Sequence, residues 1–185
     1  MNWTELAGAL LGLANIVLLV RRSVWNFPVA MAMVTLIGIT LFEKRLYSET
    51  GLQVFFFVVN GWGWYLWSRA KGAKEDAVPV GWMSDRARFV WAAATAALSL
   101  TLGWIMHRFT NAALPFADSA VTGASIAAQI LLSLRRIENW VLWVAIDVVS
   151  VALYLNRELY FLAALYLVFL ILSVQGLREW KKAAA

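Results

Sequence analysis

Between Gln129 and Ser150 the chain reads QILLSLRRIENWVLWVAIDVVS, an apolar run broken by Asn139, Trp140, Trp143 and Asp147 at helical spacing. Two indoles one turn apart offer faces on which a flat ring can stack, and their π-faces attract a cation. Asp147 falls about two turns further into the run. A carboxylate cannot snorkel from there, so it must be paired, hydrogen-bonded or protonated. Two readings of Asp147 stand equal: a structural hydrogen bond to a neighbouring Tyr or Asn, and direct contact with a bound molecule. A second group, Gln53, Phe56, Asn60 and Trp64, recurs at steps of three and four and forms one helical face of amides and aromatics. Gln129 is a further isolated amide able to face the same space. These groups stack and hydrogen-bond; they do not make or break bonds. The chain has no cysteine and a single histidine, His107, so thiol chemistry and a multi-histidine metal centre are excluded. A lone intramembrane carboxylate supplies no nucleophile–base pair, and no phosphate-binding glycine loop is present. The residues point to a binding site rather than an enzyme, with no metal and no cofactor.

The elements that must hold these residues are membrane helices. The chain has 185 residues, 62% of them hydrophobic and 15% charged, with a mean hydropathy of +0.70, a composition of integral membrane proteins. Spanning a bilayer takes roughly 20 apolar residues. Seven segments approach that length, at about 6–20, 24–42, 52–67, 89–106, 119–134, 140–155 and 159–177. The charged 68–88 loop divides the chain in two. The start lacks a basic n-region, so no cleaved signal peptide is expected. The net charge of +5 reads as loop charge at a lipid bilayer and not as a nucleic-acid surface. Seven spans place Arg21, Arg22, Arg69, Lys71, Lys74, Arg86, Arg88, Arg135, Arg136, Arg178, Lys181 and Lys182 on one side, against Lys44, Arg45, Arg108 and Arg157 on the other. Twelve against four makes the C-terminal side cytoplasmic and the N-terminus external.

The segments repeat. LVRRSVWNFP and LRRIENWV each give an arginine pair, then Asn and an aromatic, and Asn26 to Asn139 is an offset of 113. At that offset Leu46-Tyr47 falls on Leu159-Tyr160, Phe56 on Phe169, Gly63 on Gly176 and Trp67 on Trp180. Asn15 meets Gln129 at an offset of 114. The expected architecture is therefore all-α, with seven transmembrane helices as two parallel three-helix repeats joined by a linker helix. The divisions are 1–70, 71–118 and 119–185, within one functional membrane unit. Parallel repeats of this kind are a transporter architecture, with substrate near the midplane between the halves. The repeat also shows what is not duplicated: Trp143 stands opposite Ala30, Asp147 opposite Val34, Asn60 opposite Ser173, and Gln53 opposite Tyr166, which joins the candidate set. An asymmetric site suits an asymmetric substrate, a flat ring at one end and hydroxyls at the other.

Other features have plainer readings. Gly8-x-x-x-Gly12 is a helix-packing pattern, and Pro28 marks a first turn or a kink. Trp67 reads as an interface anchor, the arginine pairs as topology and headgroup anchors, and Glu5 and Glu49 as solvated. A reading of a different class, a membrane sensory or structural subunit that transports nothing, would turn the polar residues toward partner helices.

Taken together, VWNFP (24–28), GLQVFFFVVNGWGWYLW (51–67), ALP (113–115), SIAAQILLSLRRIENWVLWVAIDVVSVALY (125–154) and LYFLAALYLVFLILSVQGLREW (159–180) resemble the PnuC-type nicotinamide riboside transporters, a bacterial vitamin-uptake family. The resemblance covers nearly the whole chain. It implies the fold of the SWEET sugar transporters, a homotrimer in the bacterial inner membrane, and facilitated diffusion with trapping by cytoplasmic phosphorylation. It places the family's tryptophan pair on Trp140 and Trp143 and its third-span amides on Gln53 and Asn60. The chain departs from the pattern at Trp62, where a tyrosine is more usual, and at Gln175-Gly176-Leu177, where an aromatic often follows the glycine. Relatives carry thiamine or riboflavin, so these remain alternatives to nicotinamide riboside. In the implied site the indoles hold the nicotinamide ring, and Gln53, Asn60, Gln129 and Asp147 bond ribose or amide.

Overall fold

Seven helices account for most of the backbone in the computed structural model, which describes residues 3–43, 45, 47–70, 78–110, 114–156 and 158–185. In order they are α1 (Trp3–Val20), α2 (Asn26–Glu43), α3 (Tyr47–Ser68), α4 (Asp85–Phe109), α5 (Pro115–Ser133), α6 (Glu138–Asn156) and α7 (Tyr160–Ala183). Helix satisfies every backbone group within its own segment, which is what a bilayer requires. Five of the seven, α2, α4, α5, α6 and α7, are long and apolar enough to cross a membrane by length and composition. The apolar part of α1 is shorter, Leu6–Val20, and α3 gives up apolar positions to Gln53 and Asn60. Several ends differ from the sequence reading, α3 starting at Tyr47 and α5 at Pro115, about a turn before the expected 52 and 119. α4 starts a turn early because the Ser84 hydroxyl accepts from the Ala87 N–H and caps it. α7 runs past 177 to Ala183, carrying Trp180 into the protein. Pro28 is the third residue of α2, in the first turn, where its missing N–H is tolerated.

Six helices close a ring: α1 packs on α2, α2 on α3, α3 on α5, α5 on α6, α6 on α7, and α7 on α1. α4 lies outside it, along α5. Lipid tails are as apolar as leucine, so close packing of small residues must hold α4 in place. A Cβ added to Gly103 would sit 2.5 Å from the Phe116 ring. Gly103 is the buried residue of α4, while Phe89, Leu100, Trp104 and Phe109 are exposed along it. Its polar start is tied to the ring where Glu138 of α6 accepts from Arg88 Nε at 2.7 Å and from the Met83 N–H at 2.9 Å.

Contacts recur at the offset seen in the sequence. Asn26 and Asn139 each donate Nδ2 to the carbonyl three residues back, at 2.7 and 2.6 Å. Trp67 and Trp180 each donate the indole N–H to a carbonyl in the last turn of the neighbouring helix from the other half, Ser133 at 3.2 Å and Leu19 at 3.1 Å. Phe27 meets Trp67 edge-on at 5.1 Å, and Trp140 meets Trp180 edge-on at 5.6 Å. Arg22 and Arg135, at φ of 58° and 60°, stand in the left-handed position that usually goes to glycine, just beyond α1 and α5. Trp67 thus corrects the expectation of an interface anchor: it is fully buried, and its N–H is spent inside the protein.

The turns after α1 and α5 lie at one end of the ring, because the strap before α4 binds both. The Val78 N–H donates to Arg22 O at 3.2 Å and the Gly81 N–H to Arg135 O at 3.1 Å. Trp67 and Trp180 bring the last turns of α3 and α7 to the same end. The arginines expected to share a side therefore converge. Lys44, Lys71, Lys74 and Arg157, the motif positions Leu46 and Ala113, and the side chains of Glu5 and Glu49 lie outside the described residues.

Candidate functional site

A cavity of about 270 Å³ opens inside the ring, and all six ring helices wall it. α1 supplies Gly12, Asn15, Ile16 and Leu19; α2 supplies Ala30, Met33 and Val34; α3 supplies Gln53, Phe56 and Asn60. From the second half come Ser125, Gln129 and Leu132 of α5, then Trp140, Trp143 and Asp147 of α6, and Tyr166, Phe169 and Ser173 of α7. α4 supplies none.

Eight of the ten sequence candidates meet here: Gln53, Phe56, Asn60, Gln129, Trp140, Trp143, Asp147 and Tyr166. Asn60 and Gln129 form a locked pair across the α3–α5 seam. Gln129 Nε2 donates to Asn60 Oδ1 at 3.0 Å, and Asn60 Nδ2 donates to Phe56 O at 2.8 Å. The Ser133 hydroxyl below them donates toward Gln129 O at 3.1 Å and Val59 O at 3.3 Å. Amides held this way present fixed polarity to a ligand and cost it little reorganisation. Asp147 is buried and accepts from the Ser173 hydroxyl at 2.8 Å, so its protein partner is a serine of α7 and neither the Tyr nor the Asn expected. Tyr166 packs 5.1 Å from Tyr154 and 5.5 Å from Phe169, adding aromatic lining from α7.

The two tryptophans do different work. Trp140 is 0% exposed, edge-on to Trp180 and pressed against Gly176, where a Cβ would stand 2.5 Å from its ring. Trp143 is only partly buried and stands free of that cluster's centre. Trp140 is thus a wall fixed by packing, and Trp143 the indole available to a ligand.

Two candidates stand apart. The inward face of α3 continues below Asn60 through Gly63 and Trp67, which pack on Phe27; this turns Trp64 to the flank, 41% exposed. Asn139 is buried, but its amide pins the turn into α6 through Arg136 O and does not line the cavity. Conversely, Asn15, Ser125, Phe169 and Ser173 line the cavity without having been selected from sequence. Three of them were findable from the repeat: Ser173 stands opposite Asn60, Phe169 opposite Phe56 and Asn15 opposite Gln129. The same ring positions face inward in both halves, whichever residue fills them.

Among the described residues the lining contains one carboxylate and no Lys, Arg or His. Such a cavity can stack a flat ring, accept from hydroxyls and tolerate positive charge, but offers an anion no counter-charge.

The family model for nicotinamide mononucleotide transporters matches residues 2–182. The nicotinamide riboside transporter PnuC of Escherichia coli (strain K12) is 30% identical over 208 residues, spanning 100% of this chain and 87% of that protein. PnuC of Neisseria mucosa is 26% identical over 98% of this chain and 73% of its own length. The riboflavin/roseoflavin transporter RibM of Streptomyces davaonensis is 26% identical over 96% and 84%. The crystal structure of the vitamin B3 transporter PnuC superposes with a TM-score of 0.81 at 23% identity, over 98% of this chain and 81% of that one, and so shares its fold.

Proposed function

This chain belongs to the nicotinamide mononucleotide transporter family, as a PnuC-type multi-pass membrane transporter and not an enzyme, and from that premise we propose that it carries nicotinamide riboside. Transport is by facilitated diffusion, with the carried nucleoside retained by phosphorylation in the cytoplasm. The protein is a homotrimer of the bacterial inner membrane with its N-terminus outside and its basic end cytoplasmic, in line with the lysine and arginine bias.

The observation that carries the reading is the cavity lining. Trp143 offers a ring face to a pyridinium, the Asn60–Gln129 pair, Gln53 and Asp147 offer hydrogen bonds, and no basic residue is among them. A mononucleotide's phosphate would be desolvated there without a partner, which favours the nucleoside. Polar groups that face inward to a shared cavity, and not outward to partner helices, speak against a purely structural or sensory subunit. Riboflavin is the second reading, favoured by the similarity to RibM; it also joins a flat ring to hydroxyls. The volume of about 270 Å³, just under the roughly 300–1,000 Å³ of drug-sized ligand sites, favours the smaller nucleoside.

Uptake of labelled nicotinamide riboside into proteoliposomes is the test. The expected result is entry that stops when internal and external concentrations are equal, with the same plateau under an imposed proton or sodium gradient. Accumulation above the external concentration overturns facilitated diffusion. Entry of riboflavin with no entry of nicotinamide riboside overturns the substrate.

A further inference from the structure

The repeats meet at two seams, α3 against α5 and α7 against α1. At the first, Gln129 donates to Asn60. The equivalent positions at the second are Asn15 and Ser173, but among the described residues no hydrogen bond joins them, and the Ser173 hydroxyl donates to Asp147. Asn15 thus lacks the partner that its counterpart has. Its Oδ1 is buried and accepts no hydrogen bond among the described residues, although the residue lines the cavity. A buried carbonyl oxygen left unmet is costly, and native proteins pair nearly all of them. Asp147, on α6 next to that seam, lines the same cavity, and a carboxylate that accepts one hydroxyl at Oδ2 has capacity for further donors. Asn15 and Asp147 thus present acceptors to a ligand where the first seam presents a closed pair.

Two acceptors lining one cavity suit a ligand with two donors on neighbouring atoms, and a ribose diol has them. We infer that Asn15 is a specificity-determining residue, accepting from one ring hydroxyl of the substrate's ribose while Asp147 accepts from the adjacent one. This rests on the nucleoside reading above. It also gives the site a direction: the ribose lies between Asn15 of α1 and Asp147 of α6, and the base toward Trp143.

Calorimetric titration of purified protein with nicotinamide riboside and with its 2′,3′-dideoxy analogue tests the assignment. Unaltered protein should bind the riboside at least tenfold more tightly than the analogue. Asn15→Ala should lose at least tenfold for the riboside and none for the analogue. Its melting temperature should stay close to that of unaltered protein, because no hydrogen bond of the Asn15 oxygen within the protein is removed, whereas Asn60→Leu, which strands Gln129, should melt lower. Asn15→Leu, closer in volume, serves as the second variant if the alanine protein does not fold. Unchanged riboside affinity in Asn15→Ala overturns the inference, as does equal affinity of unaltered protein for the two ligands. So does a binding loss that comes only with a lowered melting temperature, which would make Asn15 structural. If unaltered protein binds no riboside at all while another vitamin binds, the nucleoside reading fails first and this inference with it.

Discussion

Trp143→Ala is expected to weaken nicotinamide riboside binding roughly 30-fold while the protein melts close to the unaltered temperature. An aromatic stacking contact is worth about 0.5–1.5 kcal/mol beyond its area, and a desolvated cation over an indole about 2 kcal/mol. About 2 kcal/mol in total corresponds to that factor. The fold survives because Trp143 is only partly buried and lies at the edge of the packed cluster. Trp140→Ala, three residues away, should behave differently. Its ring is fully buried between Trp180 and Gly176, so truncation leaves a cavity worth about 3–5 kcal/mol, or roughly 10 °C in a chain of this length. Thermal unfolding in detergent beside calorimetry separates the two. A Trp143→Ala protein that binds like the unaltered one, or that unfolds like Trp140→Ala, contradicts the division of labour between the indoles.

Gly176→Ala is the second substitution with a large expected effect. A methyl group there would lie 2.5–2.6 Å from three ring carbons of Trp140, far inside van der Waals contact, and the indole is fully buried and already packed edge-on to Trp180. Overpacking of this kind typically costs about 1–3 kcal/mol, which predicts a melting temperature lower by roughly 5–10 °C. Displacement of Trp140 should also deform the cavity wall and weaken binding. The repeat supplies a control. Gly63 holds the same position against Phe27, with Ser133 Oγ 2.7 Å from the site of its Cβ, so Gly63→Ala should destabilise similarly. Because Phe27 does not line the cavity, its direct effect on the wall should be smaller. Equal stability of Gly176→Ala and unaltered protein would show that the α6–α7 contact is looser than described.

Much of this was legible in the sequence because membrane folds are constrained twice, by apolar length and by the sidedness of basic residues. The seven helices were readable from those constraints, and the repeat of an arginine pair followed by Asn and an aromatic pointed to the contacts that recur between Asn26, Phe27, Trp67 and Asn139, Trp140, Trp180. The failures have a common physical source. Trp64 and Asn139 have the right chemistry at helical spacing, yet spacing along one helix does not say where that helix leaves the cavity. α3 turns its inward face to Gly63 and Trp67, and the start of α6 uses Asn139 to pin its own turn. Trp67 resembled an interface anchor because tryptophan near a helix end usually is one; burial against α5 depends on a neighbour that no local pattern reveals. Ser173 and Asn15 look unremarkable in an apolar run, and only their repeat counterparts point to the cavity.

The central claim is that this cavity recognises a nucleoside with a flat cationic ring and no phosphate. Calorimetric titration of the purified protein with nicotinamide riboside, nicotinamide mononucleotide, thiamine and riboflavin tests it most directly. Nicotinamide riboside should bind with the highest affinity, and the mononucleotide should give no detectable heat. Binding of the mononucleotide as tight as that of the riboside, or tighter binding of thiamine or riboflavin, would contradict it.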